Sequence, residues 1–204
     1  MTVLDELTQR CERQEGPAIP IPGFRRVDLG PLFADLGFTR GAEIGVAKGA
    51  FSEHLCKTIP DLELLCVDPW RKYKGNSRAQ PRNLQTESFE AAVERLRPYQ
   101  AMVVRALSSE AVVPVRYGSL DFVHIDGNHR YEHVLFDLSA WSKRVRPGGI
   151  ISGDDYYDFP RAGVVEAVND FTQERGITTW WITDDRRRLN HRGARQPAYF
   201  WVNP

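Results

Sequence analysis

Short apolar runs alternate with amphipathic segments from residue 40 onward. The apolar runs predict parallel strands at residues 42–46, 62–67, 101–104, 120–125 and 149–152. The segments that follow them have helical periodicity near residues 50–58, 84–97, 108–113, 131–145 and 162–175. Strands that alternate with helices in this way indicate a doubly wound α/β sheet with helices on both faces.

The last two apolar runs lie at residues 178–183 and 198–202, without a helical segment between them. Strands joined in this way form an antiparallel pair, so we expect a hairpin at one edge of the sheet. The complete prediction is an α/β fold with a doubly wound, mostly parallel seven-stranded sheet and a C-terminal antiparallel hairpin.

The first 39 residues do not follow the alternation. Residues 3–14 predict a short amphipathic helix, residues 16–23 are rich in Pro and Gly and end it, and residues 28–36 predict a second helix. We therefore expect an N-terminal helical extension at 1–39, which caps the site or forms a homodimer contact, and a main domain at 40–204.

Composition narrows the class of protein. The 204 residues fit one domain, and a formal net charge of zero provides no general attraction to nucleic acid or to an anionic membrane. Three cysteines without a CxxC pair argue against disulfides and zinc, and favour a reducing compartment. Because we see neither a secretory signal nor a membrane-spanning run, we expect a cytoplasmic protein that acts on a small molecule.

Acidic residues lie near the ends of four predicted strands. Glu43 belongs to the first strand, Asp68 ends the second, Asp126 follows the fourth, and Asp154 and Asp155 follow the fifth. Open parallel sheets bind ligands outside the carboxyl ends of their strands, so these side chains should face one crevice. Glu43 and Asp68 suit a nucleoside cofactor. Asp126, Asp154 and Asp155 suit a divalent cation that holds a second substrate.

The turn after the first strand favours a sulfonium cofactor. Gly45 and Gly49, with the small Ala47 between them, let the backbone approach a ligand closely. Glu43 would repel a diphosphate but not a sulfonium, and Asp68 can accept both ribose hydroxyls. These features favour S-adenosylmethionine (SAM) over NAD or NADP. The alternative is a tight strand–helix turn with Asp68 as a strand-end cap.

Three carboxylates predict a metal site on the other side of the crevice. Neighbouring fourth and fifth strands would bring Asp126, Asp154 and Asp155 together, and anions packed this closely need a cation. Oxygen ligands suit Mg²⁺, Mn²⁺ or Ca²⁺. His129 has the ordinary pKa of a general base. The alternative is that Asp126 lies in a turn and the acidic pair begins a solvated loop.

Several other residues have two interpretations. Ser108 reaches the adenine or ribose of a cofactor, or caps the helix that follows it. The basic, aromatic loop at residues 69–83 is a lid or a solvated loop. Aromatic residues at 156–159 suit an apolar acceptor pocket. We expect His124 in the core and His133 at the surface.

Four motifs resemble class I SAM-dependent methyltransferases, most closely the small-molecule O-methyltransferases of the macrocin and catechol type. The motifs are EIGVAKG at 43–49, VD at 67–68, DGNHRY at 126–131 and PGGIISGDDY at 147–156. The resemblance covers about residues 40–202 and implies a Rossmann-like fold.

By this resemblance, Glu43, Gly45 and Gly49 contact the methionine end of SAM, and Asp68 holds the ribose. Ala47 stands where the family usually has a middle glycine. On the acceptor side, the resemblance assigns Mg²⁺ to the three aspartates named above. It also places His129 where catechol-type enzymes have a lysine base, and Asn128 departs from the Asp-Gly-Asp-x-Tyr motif of macrocin-type enzymes.

The implied reaction transfers the methyl group of SAM to a hydroxyl of a sugar, natural product or other diol-like acceptor, with Mg²⁺ and a His base. Two alternatives stay open: a metal-independent O- or N-methyltransferase, and a nucleotide-binding or hydride-transfer protein on the same sheet. Glu43 and the lack of a G-x-G-x-x-G motif argue against the last of these.

Overall fold

The computed structural model describes residues 18–73, 81–184 and 196–204. The strands within them are β1 Ala18–Pro22, β2 Arg40–Ile44, β3 Glu63–Asp68, β4 Ala101–Arg105, β5 Leu120–Ile125, β6 Val145–Gly153, β7 Trp180–Asp184 and β8 Tyr199–Val202. The helices are α1 Leu29–Asp35, α2 Ala50–Thr58, α3 Arg82–Leu96, α4 Ser108–Ala111, α5 Tyr131–Trp141 and α6 Val164–Glu174, with 3-10 turns at Arg26–Asp28 and Ser142–Arg144. No helix in these ranges is long and apolar enough to cross a membrane.

The strands form a single sheet in the order β1-β7-β8-β6-β5-β2-β3-β4. Strand β8 runs antiparallel to its neighbours β6 and β7, whereas the other neighbouring pairs of the described sheet are parallel. The predicted α/β fold, with a mostly parallel sheet and a C-terminal antiparallel hairpin, is confirmed.

The described sheet has eight strands rather than the seven expected, because β1 forms where the sequence predicted a Pro- and Gly-rich connection. Strand β1 pairs in parallel with β7 and forms the edge of the sheet, so the hairpin lies one strand inside that edge. Pro20 and Pro22 lack the N–H of a ladder hydrogen bond, and an edge strand tolerates this because one side has no neighbouring strand. Composition alone could not distinguish this edge strand from a loop.

Helices cover both faces of the sheet, each over its own apolar core. On one face, Phe33 of α1, Leu55 of α2 and Leu96 of α3 are almost completely buried. On the other face, Leu138 of α5 and Phe171 of α6 pack in the second core. This two-sided burial is the reason that the central strands consist of nearly continuous apolar residues.

The described part of the predicted N-terminal extension packs with the sheet. Residues 18–22 are strand β1, and Leu29 and Phe33 of α1 are fully buried in the first core. The predicted boundary between residues 39 and 40 therefore falls inside a packed unit. The helix predicted at 3–14 lies outside the described residues, and the cap or dimer role of that segment stays a prediction.

Four adjacent parallel strands, β6, β5, β2 and β3, end at the same edge of the sheet. Backbone pairing continues one residue past two of these ends. The Asp126 N–H donates to the Ile44 carbonyl at 2.7 Å, and the Asp154 N–H donates to the Ile125 carbonyl at 3.1 Å. These bonds bring Asp126 and Asp154 to adjacent positions at the carboxyl edge.

Candidate active site

A cavity of about 590 Å³ opens at this carboxyl edge. The predicted site residues that line it are Gly45, Ala47, Asp68, Ser108, Asp126 and His129. The described lining leaves out four other predicted residues, Glu43, Gly49, Asp154 and Asp155. The predicted cofactor and acceptor sides of the crevice therefore share one space, although not every predicted residue borders it.

The turn between β2 and α2 requires glycine at its first position. Gly45 has a φ of +97°, and its N–H donates to the Val67 carbonyl at 2.8 Å. A Cβ at this position would lie 2.0 Å from the backbone oxygen of Asp126, well inside van der Waals contact. Ala47 has a φ of +49°, in a region that glycine occupies with less strain.

Asp68, at the end of β3, holds this turn against the segment that follows it. One carboxylate oxygen accepts from the Ala47 N–H at 3.0 Å, and the other accepts from the Trp70 N–H at 2.8 Å. The Trp70 indole donates back to the Ala47 carbonyl at 2.8 Å. Each carboxylate oxygen has a second lone pair, so Asp68 can still accept hydrogen bonds from hydroxyl groups in the cavity.

Glu43 lies beneath the turn, with an exposed fraction of 2%. Its carboxyl group accepts a hydrogen bond from the Ser52 hydroxyl of α2. Burial raises the pKa of Glu43 to about 8, so the group is mostly neutral at pH 7. Glu43 therefore lies behind the turn and outside the described lining of the cavity, and its predicted contact with the methionine end of the cofactor stays a prediction.

Ser108 does not cap α4, and its hydroxyl is already engaged by two neighbours. It donates to Asp137 of α5 and accepts from the Trp141 indole at 2.7 Å, while Leu107 is the N-cap. Burial raises the pKa of Asp137 to about 7. Asp137 lines the cavity and was missed because one acidic residue in an apolar helix carries no sequence signal.

His129, on the predicted acceptor side, lies close to two carboxylates. Its Nε2 is 3.4 Å from Oδ1 of Asp126 and 3.4 Å from Oδ2 of Asp155. One donor atom from each of these residues lies within 4.8 Å of the others, which makes them a candidate metal cluster among the described residues. Asp155 has a φ of +60°, in the left-handed region that Asp adopts more readily than most other residues.

Asp154 has a different partner, which the sequence did not predict. The Arg26 guanidinium forms an ion pair with Asp154 and a second one with Asp126 Oδ2, the latter at 3.2 Å. Arg26 belongs to the 3-10 turn before α1, 100 residues from Asp126 in sequence, and no motif marked it. The predicted trio of metal ligands is therefore divided: Asp126 and Asp155 face His129, whereas Asp154 faces Arg26.

The two other histidines for which the sequence made predictions, His124 and His133, differ in outcome. His124 is a core histidine as predicted, fully buried and 3.0 Å from the Ser152 hydroxyl, and burial lowers its pKa to about 3. His133 was expected at the surface but is half-buried and lines the cavity.

Trp70 and Tyr73, in the first part of the predicted lid, also line the cavity, while residues 74–80 of that lid lie outside the described residues. Phe159 contacts the His129 ring, with centroids 5.7 Å apart.

A doubly wound sheet with a glycine turn, a strand-end carboxylate and a cavity at its carboxyl edge is typical of folds that bind nucleoside cofactors. Residues 42–156 match the family model described as a methyltransferase domain. That segment is more than half of the chain and runs from β2 to the residue after Asp155. The chain therefore belongs to the methyltransferase domain family, and the resemblance to class I SAM-dependent methyltransferases is confirmed.

Solved structures with the same fold include enzymes for different acceptor atoms. The O-methyltransferase from Bacillus cereus in complex with S-adenosylhomocysteine (SAH) is 14% identical, with a TM-score of 0.63 over 86% of this chain and 79% of that one. TomG from Streptomyces achromogenes, an O-methyltransferase of tomaymycin synthesis in complex with SAM, is 18% identical, with a TM-score of 0.63 over 88% and 80%. The N-methyltransferase NodS from Bradyrhizobium japonicum is 14% identical, with a TM-score of 0.58 over 88% and 94%.

These identities show a shared fold and leave the acceptor undefined. A curated relative, the uncharacterized protein R132 of Acanthamoeba polyphaga mimivirus, is 38% identical over 64 residues. That match spans 29% of this chain and 29% of the relative, so it covers less than a third of the relative's length.

Proposed function

We propose that this protein transfers the methyl group of SAM to a hydroxyl of a small molecule. The observation that carries the proposal is a cavity of about 590 Å³ whose lining includes both the predicted cofactor residues Asp68 and Gly45 and the predicted acceptor residues Asp126 and His129. This volume is in the range of pockets that hold ligands of cofactor size.

The cofactor side is suited to a nucleoside. Asp68 offers hydrogen-bond acceptors to ribose hydroxyls, and the bare backbone at Gly45 permits close approach of the rest of the molecule. When bound, SAM supplies a methyl group that its positive sulfur already activates. The protein then has to align the acceptor with that group and remove a proton from the hydroxyl.

We assign proton removal to His129. Its Nε2 lies 3.4 Å from an oxygen of Asp126 and 3.4 Å from an oxygen of Asp155. Carboxylates only accept hydrogen bonds, so these two hold the proton on Nε2 and leave Nδ1 as the ring nitrogen that takes a proton from the acceptor. Asp126 therefore supports catalysis through His129, and the Phe159 ring restricts the position of the histidine from another side.

In a variant of this proposal, Mg²⁺ or another divalent cation binds at the site. His129 would then be a ligand of the metal. The donor atoms that lie within 4.8 Å of one another belong to Asp126, His129 and Asp155, so such a cation would use a nitrogen ligand. Imidazole suits transition metals better than Mg²⁺, and a nitrogen bound to a metal does not accept a proton. Metal binding through Nε2 and a hydrogen bond from Nε2 to these carboxylates therefore exclude each other.

The metal-independent alternative has one observation in its favour. The Arg26 guanidinium already provides positive charge to Asp126 and Asp154, two of the three carboxylates that the sequence assigned to Mg²⁺.

We extend the proposal to the predicted partners: the acceptor is a small molecule in the cytoplasm rather than nucleic acid or a membrane. The zero net charge supports this choice.

Calorimetric titration with SAH and with NAD tests the cofactor class. We expect saturable binding of SAH and none of NAD at the same concentration. A second titration adds a catechol-like diol, with Mg²⁺ in one arm and a chelator in the other. Diol binding in both arms supports the His129 mechanism, and diol binding only with Mg²⁺ supports the metal variant. Absence of SAH binding would contradict the proposed function as a whole.

A further inference from the structure

Arg26 brings a positive charge to the acceptor side from outside the segment that matches the methyltransferase family. It lies in the 3-10 turn Arg26–Asp28, between β1 and α1, whereas the family match begins at residue 42. Its Nη1 contacts one carboxylate oxygen of Asp154 and, at 3.2 Å, Oδ2 of Asp126. One guanidinium thus bridges the ends of two adjacent strands, β5 and β6.

The surroundings of Arg26 hold the guanidinium in this position. Its central carbon lies 4.8 Å from the centroid of the Phe51 ring, within the distance of a cation–π contact. Burial disfavours its charge, but Asp154, Asp126 and Glu43 outweigh that effect and raise the pKa of Arg26 above its ordinary value. The guanidinium is therefore a permanent cation in a pocket of acidic groups.

A divalent cation and this guanidinium cannot share the same pair of carboxylates. Like charges at contact distance repel strongly in a partly buried site. The carboxylate oxygens that face Arg26 are also the ones through which Asp126 and Asp154 could chelate one ion together. The other oxygen of Asp126, Oδ1, faces His129 and Asp155.

We propose that Arg26 takes the place between Asp126 and Asp154 that the sequence assigns to a divalent cation. Arg26 is then a positioning residue: it neutralises Asp154 and turns Oδ1 of Asp126 toward His129. Asp154 is not a metal ligand, and any divalent cation is confined to the His129 side. The role of Arg26 in the reaction rests on the proposed function, whereas the exclusion of the cation does not.

Binding of Mn²⁺ alone, measured by electron paramagnetic resonance and calorimetry on the full chain, tests this proposal. Arg26→Gln removes the resident cation from between two carboxylates, so we expect Mn²⁺ affinity to rise by at least about tenfold. The double variant with Asp154→Asn should lose that gain. Arg25→Gln is the matched control, because Arg25 pairs with Asp28 instead and its loss should leave Mn²⁺ affinity unchanged.

Asp154→Asn in the otherwise natural chain is a second arm that does not depend on the stability of the Arg26 variant. We expect it to change Mn²⁺ affinity by less than about twofold, whereas loss of a true ligand costs roughly tenfold or more. A loss of that size, or an Arg26→Gln protein that folds and binds Mn²⁺ no more tightly, would overturn the proposal. A merely structural role for Arg26 predicts weaker metal binding on substitution, the opposite of a gain. Because this test uses Mn²⁺ without any cofactor, failure of SAH binding would refute the proposed function and leave the Mn²⁺ result intact.

Discussion

Glu43 and Asp68 lie on neighbouring strands, but their surroundings give the two carboxyl groups different chemistry. Burial raises the pKa of Glu43 to about 8. Burial also raises the pKa of Asp68, but the N–H groups of Trp70 and Ala47 oppose that rise by stabilising the charged form. Glu43 therefore supports the turn as a mostly neutral group, and Asp68 presents acceptors to the cavity.

Glu43→Gln should remove a pH dependence of stability. The pKa of Glu43 is about 8 in the folded chain and near 4.5 in the unfolded one, so the unfolded state loses its proton first as pH rises. The free energy of unfolding of the natural protein should then fall through this window, by up to about 1.4 kcal/mol per pH unit and a few kcal/mol in total. The amide oxygen of the substituted side chain can still accept from Ser52, and the amide does not titrate.

Urea unfolding of both proteins at a series of pH values measures this difference. We expect similar stability near about pH 4 and a growing advantage for the variant toward about pH 8. SAH affinity should stay within about threefold, because Glu43 lies behind the described cavity wall. Parallel pH curves for the two proteins would show that Glu43 is ionised in the fold.

Asp68→Asn should weaken SAH binding by about 10- to 100-fold, because a charged acceptor contributes roughly 1.5–3 kcal/mol to its hydrogen bonds. Calorimetry measures the affinity, and thermal unfolding checks that the turn is still folded. Asp61→Asn is the matched control: Asp61 is exposed and precedes β3, at the other end of the same strand. Equal affinities for the two variants would remove Asp68 from the cofactor site.

Among the elements of the fold, the turn between β2 and α2 depends on contact with the strand beside it. The turn passes so close to Asp126 that the position of Gly45 has room for backbone alone. The same approach lets the turn and the Asp126 side chain border one cavity. The packing of β2 against β5 therefore explains why Gly45 is required. It also explains why the predicted cofactor residues and the predicted metal residues lie next to each other.

Gly45→Ala and Gly37→Ala separate backbone strain from steric conflict. Both glycines have positive φ, +97° and +69°, but only Gly45 would place a Cβ against backbone, whereas Gly37 has no described atom within 4 Å of its Cβ position. We expect Gly37→Ala to lose about 1 kcal/mol of stability and Gly45→Ala more than about 3 kcal/mol. Urea unfolding measures both, and equal losses would contradict the steric argument.

Strand β1 is the element that connects the N-terminal residues to the site. It pairs with β7 through all five of its residues, from Ala18 to Pro22. The chain then passes through a 3-10 turn that contains Arg26 before it enters α1. The edge strand therefore has a consequence beyond the size of the sheet, because it anchors the segment that supplies the counter-ion of Asp154.

In the molecule as a whole, two apolar cores pack on the sheet whose strands β6, β5, β2 and β3 end at the same edge. The helices α1, α2 and α3 cover one face, and α5 and α6 cover the other. Because both faces are buried, the polar groups of the site are concentrated at the carboxyl edge, where the cavity opens. Ligand binding in that cavity should therefore stabilise the entire fold.

SAH should raise the melting temperature of the protein, because it binds the folded state alone. At about 100 times its Kd, the ligand adds about 2.7 kcal/mol to the free energy of unfolding. For a chain of this size, that corresponds to a rise of roughly 5–10 °C. Differential scanning calorimetry measures the shift, with NAD at equal concentration as the control. An equal shift with NAD would favour a general nucleotide-binding protein.

Much of this protein can be predicted from the amino-acid sequence alone. Apolar runs alternating with helical segments specify a doubly wound sheet, because a strand buried on both faces needs apolar residues on both sides. Turn chemistry and strand-end position identify Gly45, Asp68 and Asp126, because in a parallel sheet such residues meet at one edge. The methyltransferase family was predicted from the resemblance of four short motifs, at 43–49, 67–68, 126–131 and 147–156, because each of them is a local sequence feature.

The charge states and partners of the site residues, in contrast, depend on the folded chain. Glu43 and Asp68 look alike in sequence, and burial separates them, because desolvation depends on atoms from distant segments. Asp154 looks like Asp155, yet one contacts Arg26 and the other His129. Arg26 reaches the site only because β1 joins the far edge of the sheet and the chain returns across it. Contacts between residues more than 100 positions apart leave no periodicity or spacing in the sequence, so folding alone brings them together.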